Sequence, residues 1–108
     1  MTTLTSNDLY AIAAQEDRCA PRTRLSIPAM LRAAGDRPFA TVVKDLSLGG
    51  FSCEAVTGLR SGAVCWLTLP GLMALQAEVI WNHQGVVGCA FATLLNPAVH
   101  DALVSRYQ

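Results

Sequence analysis

Apolar and polar residues alternate with a period of two along most of this chain. Leu25, Ile27, Ala29 and Leu31 are interleaved with Arg24, Ser26, Pro28, Met30 and Arg32. On a strand, that spacing turns the odd positions inward and the even ones outward. Gly35-Asp36-Arg37-Pro38 reads as a turn, and Phe39 to Ser47 as a second strand. Leu48-Gly49-Gly50 reverses the chain into a third strand, where Phe51, Cys53 and Ala55 alternate with Ser52 and Glu54. Gly58 to Gly62 is a loop, Ala63 to Leu69 an apolar strand, and Pro70-Gly71 a tight turn. Leu72 to Asn82 forms a fifth strand, with Ala77, Val79 and Trp81 inward and Gln76 and Glu78 outward. Asn82-His83-Gln84-Gly85 then turns into a sixth, Val86 to Ala92.

Helical signals appear only at the two ends. Ser6 is placed to cap a short helix with Leu9, Ile12 and Ala13 on one face, running to about Gln15. Asn96-Pro97 supplies an N-cap followed by proline at the first helical position, and Val99, Ala102, Leu103 and Arg106 follow at helical spacing. Six short strands at close intervals predict a mainly β fold, a small six-stranded antiparallel barrel with a C-terminal helix and a short N-terminal helix or arm. Residues 1–15 are expected to form the extension and residues 16–108 the barrel domain. Trp66 and Trp81 offer rings on which a base could stack, but their alternating strand positions favour the core.

Composition narrows the function classes. With 108 residues, 52% hydrophobic and 15% charged, the chain suits one compact domain and not a disordered or heavily solvated one. The formal net charge is zero, so no overall field draws the protein to nucleic acid or a membrane surface. A single lysine and no basic strand interleaved with aromatics argue further against a nucleic-acid interface. The first 18 residues lack a basic region followed by an apolar one, so no signal peptide and a cytoplasmic location are expected. The uncharged run Ser61 to Ala77 is interrupted by Pro70-Gly71 and is too short to span a bilayer.

Candidate catalytic chemistry is thin. Cys19, Cys53, Cys65 and Cys89 form no C-x-x-C pair, and His83 and His100 stand apart from them, so buried thiols are expected in place of a zinc site or disulfides. Neither histidine has a nucleophile or carboxylate at the spacing of a triad, and no Gly-Lys-Ser/Thr follows Gly49-Gly50. No enzyme activity, metal or cofactor is expected.

The net charge hides a segregation. Residues 1–17 carry −3, residues 18–44 carry +5 and the remainder −2, and seven of the eight basic residues are arginine. A guanidinium grips phosphate bidentately, stacks on flat rings and matches the acceptor edge of guanine. Arg18, Arg22 and Arg24, if extended, point the same way and place three guanidiniums on one rim. Asp45 and Ser47 share a strand face, a carboxylate and a hydroxyl suited to a polar heterocycle. Gly49-Gly50 lets a ligand or another strand approach the backbone closely.

Taken together, Arg18-x-x-x-Arg22 and Asp45-x-Ser47-x-x-Gly50 resemble the two motifs of the PilZ family of cyclic di-GMP receptors. Pro21, the strand Leu25 to Ala29, the segment Ala77 to Trp81 and the following Gly88-Cys89-Ala90-Phe91 extend the resemblance over about residues 16–107. It implies a PilZ-type six-stranded barrel with a C-terminal helix and a non-catalytic receptor with cyclic di-GMP as its ligand. Arg18 and Arg22 would meet phosphates and guanine, Asp45 and Ser47 would read the guanine edge, and Gly50 would permit close approach. Asp17 departs from the basic residue that many family members carry beside the first arginine. Binding is expected to order the arm from Glu16 to Arg24 and to alter the surface offered to a protein partner. The alternative is an adaptor that keeps the barrel and binds a protein without nucleotide.

Overall fold

Six antiparallel strands close on one another in the order β1-β2-β3-β6-β5-β4, with β4 pairing back to β1. The computed structural model describes residues 22–55 and 58–108. The strands are β1 (Thr23–Ala33), β2 (Phe39–Leu46), β3 (Gly50–Glu54), β4 (Val64–Thr68), β5 (Leu75–His83) and β6 (Val86–Phe91), and one helix, α1 (Pro97–Tyr107), follows. The expected six-stranded barrel and C-terminal helix are therefore both present. The predicted helix from Ser6 to Gln15 and the arm before Arg22 lie outside the described residues. Closure leaves no open sheet edge, which is how a small β domain avoids edge-to-edge pairing.

Alternation builds the barrel wall. Along β1, Leu25, Ile27, Ala29 and Leu31 are buried while Arg24, Ser26, Pro28 and Met30 are exposed. The interior is filled by the largest of these side chains, with Phe51 and Phe91 stacked at 5.2 Å and a 39° tilt among Leu31, Val43, Leu46 and Leu67. Each such side chain contributes roughly 1.5–3 kcal/mol on burial. In α1, Asn96 accepts from the Ala98 and Val99 amides at 2.8 and 3.4 Å, as its N-cap position requires. Leu103 is the buried residue of that helix, with Val99, Val104 and Tyr107 partly buried against the core, while Ala102 stays exposed.

Two expectations need correction. The fifth strand begins at Leu75 and not at Leu72, because the Leu72 amide donates to Leu69 O across the Pro70-Gly71 turn at 3.1 Å and leaves the ladder. Trp81 does not enter the core. Val79 pairs with Cys89 and Trp81 with Gly88, so Ile80 is an extra residue in β5. This bulge reverses the alternation, and Trp81 emerges 44% exposed. Trp66 is also only half buried, with the Arg32 guanidinium 4.3 Å above its ring on the neighbouring strand.

One glycine limits how closely two strands lie. Gly50 faces Ala90 across the β3–β6 ladder, and a Cβ there would fall well inside contact distance of the Cys89 carbonyl. Backbone cannot yield as a side-chain tip can, so Gly50→Ala should cost about 2–3 kcal/mol by forcing β3 away from β6. Gly58, which has nothing within 4 Å of its would-be Cβ and lies in a loop, should accept alanine within about 0.5 kcal/mol. Urea denaturation of the two variants checks the contrast, and equal stabilities would show that β3 and β6 are not held at this distance.

Candidate functional site

A row of side chains crosses four strands on the outside of the barrel. Asp45 on β2 pairs with Ser52 on β3, Ser52 with Gly88 on β6, and Gly88 with Trp81 on β5. At strand spacings of about 4.8 Å, the row is roughly 14 Å long at the backbone. Its middle is floored by small residues: Gly50, Ser52, Gly88 and Ala90 are all buried although they alternate with core positions. A Cβ on Gly88 would collide with the Trp81 indole, so the indole lies directly over that glycine. The result is a shallow trough with an aromatic wall at one end and a carboxylate at the other.

The carboxylate end is tied together by hydrogen bonds. Arg22 donates to Asp45 Oδ1 from Nε at 3.0 Å and from Nη2 at 2.5 Å. Ser52 donates its hydroxyl to Asp45 Oδ2 at 2.5 Å. The Arg22 and Asp45 side chains are 37% and 25% exposed, so the ion pair meets solvent. Arg24 stands opposite Asp45 in the β1–β2 register with its side chain exposed. Beside this cluster, Lys44 is paired with Glu54 at 2.9 Å.

Of the residues expected to form a site, the structure joins Arg22 and Asp45 directly, and Arg18 lies outside the described residues. Ser47 is fully buried just beyond β2. Its hydroxyl accepts from the Gly50 amide at 3.2 Å, while its own amide donates to Gly50 O at 2.9 Å. Ser47 thus shapes the β2–β3 reversal, and the close neighbour of Gly50 is β6. Sequence reasoning missed Ser52 and Gly88 and placed Trp81 in the core. Ser52 was within reach, since a two-residue reversal at Leu48-Gly49 pairs 47 with 50 and therefore 45 with 52. Trp81 carried no such signal, because a bulge is not visible in alternation.

The thiols among the described residues lie in the interior, away from this surface. Cys53, Cys65 and Cys89 are buried and unpaired by disulfide. Burial pushes the Cys53 thiol up to about 11. The hydrogen bond with Cys65, and then burial, drives Cys89 far above the ordinary thiol range. Such thiols are poor nucleophiles and poor metal ligands. Among the described residues, no group of three His, Cys, Asp or Glu side chains is placed to hold a metal.

This fold and surface define a small β-barrel binding domain, with polar and aromatic groups arranged on the outside of a packed interior. The family model that matches the sequence is that of the PilZ domain, over residues 16–107, and the chain belongs to the PilZ domain family. PilZ domains are in general receptors for cyclic di-GMP. The crystal structure of the PilZ domain of CeSA from a cellulose synthesizing bacterium is similar, with a TM-score of 0.56 at 23% identity. That match covers 80% of this chain and 92% of the other, and at this identity the likeness concerns the fold. No match is found among curated proteins. Among the described residues, no helix is long and apolar enough to cross a membrane.

The raised Cys53 value has a consequence for stability. Folding favours the neutral thiol, so its stabilisation is complete below the ordinary value of 9.0 and is lost as pH rises toward about 11. Unfolding free energy should therefore fall between pH 9 and 11, and Cys53→Ala should flatten that decline. Denaturant titrations of both proteins at pH 8 and pH 10.5 measure the difference, and identical slopes would exclude Cys53 as a source.

Proposed function

We propose that this protein is a bacterial, cytoplasmic and non-catalytic receptor for cyclic di-GMP, bound on the outer surface of the barrel. The observation that carries this reading is the trough itself, with Arg22 and Asp45 at one end and the Trp81 indole at the other. A guanidinium suits the ligand's phosphates, a carboxylate suits the donor edge of guanine, and an indole face suits a stacked base. Arg18 adds a second guanidinium from the preceding segment. Ser47 and Gly50 contribute by fixing the loop that follows Asp45. No cofactor is needed for this role. Ligand contacts with residues 16–24 order that arm over the barrel and change the surface presented to a protein partner.

A protein partner has a candidate surface elsewhere on the domain. Leu72, Met73, Leu75, Leu94 and Val99 line a groove of about 240 Å³ between the β4–β5 loop and α1. Met73 is 88% exposed and Leu94 45%, and both border this groove. This groove also favours the second reading, an adaptor that binds protein without nucleotide.

Calorimetric titration separates the two readings. Cyclic di-GMP should bind the full chain, and GMP should bind far more weakly because it offers one base and one phosphate. Arg22→Ala should cost about 2–4 kcal/mol of binding, or roughly thirty- to a thousand-fold, with lysine at that position a poor substitute. Arg60→Ala, in a loop outside both motifs, should change affinity far less. Equal losses from the two alanine variants would reduce the reading to diffuse electrostatics, and no heat with cyclic di-GMP would leave the adaptor.

Tryptophan emission gives an independent check on the aromatic wall. In Trp66→Phe, Trp81 is the remaining tryptophan, and saturating cyclic di-GMP should quench it. Trp81→Ala should lose about 1–3 kcal/mol of binding, the usual worth of a stacked base. Unchanged emission together with unchanged affinity would remove Trp81 from the site.

A further inference from the structure

Asp45 is crowded with donors. A carboxylate has about four acceptor positions. Arg22 fills both positions on Oδ1 through Nε and Nη2, and Ser52 takes one on Oδ2. One position is left. The Watson–Crick edge of guanine presents two adjacent donors, N1–H and the 2-amino group, and both need an acceptor. One resident donor must therefore leave before Asp45 reads a guanine.

The two donors differ in how they are held. Ser52 is 3% exposed, sits in β3 between β2 and β6, and has a short side chain with one rotor. Arg22 is 37% exposed at the side chain and precedes β1. Its long side chain reorients readily, and a phosphate is a competitive partner for its guanidinium. Arg22 is the donor that moves, and Ser52 the one that stays.

We propose that Ser52 is the positioning residue that sets base selectivity, holding Asp45 in the orientation that accepts guanine's two donors while Arg22 transfers from Asp45 to a ligand phosphate. This rests on the cyclic di-GMP reading above. Ser52 makes no ligand contact in this role. It fixes one carboxylate oxygen so that the other positions face along the trough toward Gly88 and the indole. Phosphate grip comes from arginine and is indifferent to the base. Selectivity comes from Asp45 and depends on its orientation.

The test compares cyclic di-GMP with the analogue whose bases are hypoxanthine, which keeps N1–H and lacks the 2-amino group. Wild-type protein should prefer the guanine ligand by roughly ten-fold, the worth of one hydrogen bond to a charged acceptor. Ser52→Ala should bring that preference close to one while changing affinity for the hypoxanthine ligand by no more than about three-fold. Ser52→Thr, which keeps the hydroxyl, should retain the preference. Arg22→Ala should weaken both ligands in parallel. Retention of the full preference by Ser52→Ala would overturn the proposal, as would an equal loss for both ligands in that variant, the mark of a merely structural effect. Loss of preference in Ser52→Thr as well would assign the effect to space and not to the hydroxyl, and would overturn it too. Failure of wild-type protein to bind either ligand overturns the receptor reading itself and, with it, the role of Ser52.

Discussion

The outer surface of this barrel depends on how closely β3 and β6 approach. Gly50 presents only a hydrogen to the Cys89 carbonyl, and Gly88 only a hydrogen to the Trp81 indole. Small residues on the outside of two adjacent strands cost little on the inside, where Phe51, Cys53, Val87, Cys89 and Phe91 complete the core. They leave a trough at the middle of the sheet, and a large side chain from β5 can fold down into it. With larger residues at 50 and 88, the same fold would carry a flat, filled wall.

Asp45 couples that trough to the start of the described chain. Its two oxygens are shared between a residue locked into the strand framework, Ser52, and one that precedes β1, Arg22. A single carboxylate therefore registers both the barrel and the segment leading into it. Exposed ion pairs are weak in water, and this one is partly exposed. A contact of that strength can hold an orientation and still be exchanged for a stronger anionic partner. The buried thiols lie on the other side of the wall, where burial holds Cys53 neutral.

The bulge at Ile80 is the second device that shapes the site. Strict alternation would send Trp81 inward behind Ala77 and Val79. One extra residue instead turns the indole to the outside, at the row that contains Asp45 and Ser52. An indole in the interior would have to find room beside the Phe51–Phe91 pair. On the outside it covers Gly88 and remains half open to solvent.

Period-two alternation determined the strands, since burial of one face is the same physical demand along every strand of a closed barrel. Asn96-Pro97 determined where α1 begins, because capping chemistry is local. The paired motifs singled out Arg22 and Asp45 before any geometry, and the structure bonds them to one another across 23 residues of chain. Tertiary structure decided the rest. Ser47 and Ser52 look alike in the sequence, yet one hydroxyl is spent on the Gly50 amide and the other on Asp45. Alternation points Trp81 to the core because periodicity does not register an inserted residue. Gly50 marks a close approach in either reading, but only the β3–β6 pairing shows that a strand fills it. These are contacts between residues distant in sequence, and their partners are chosen by strand order and register, which a local pattern does not encode.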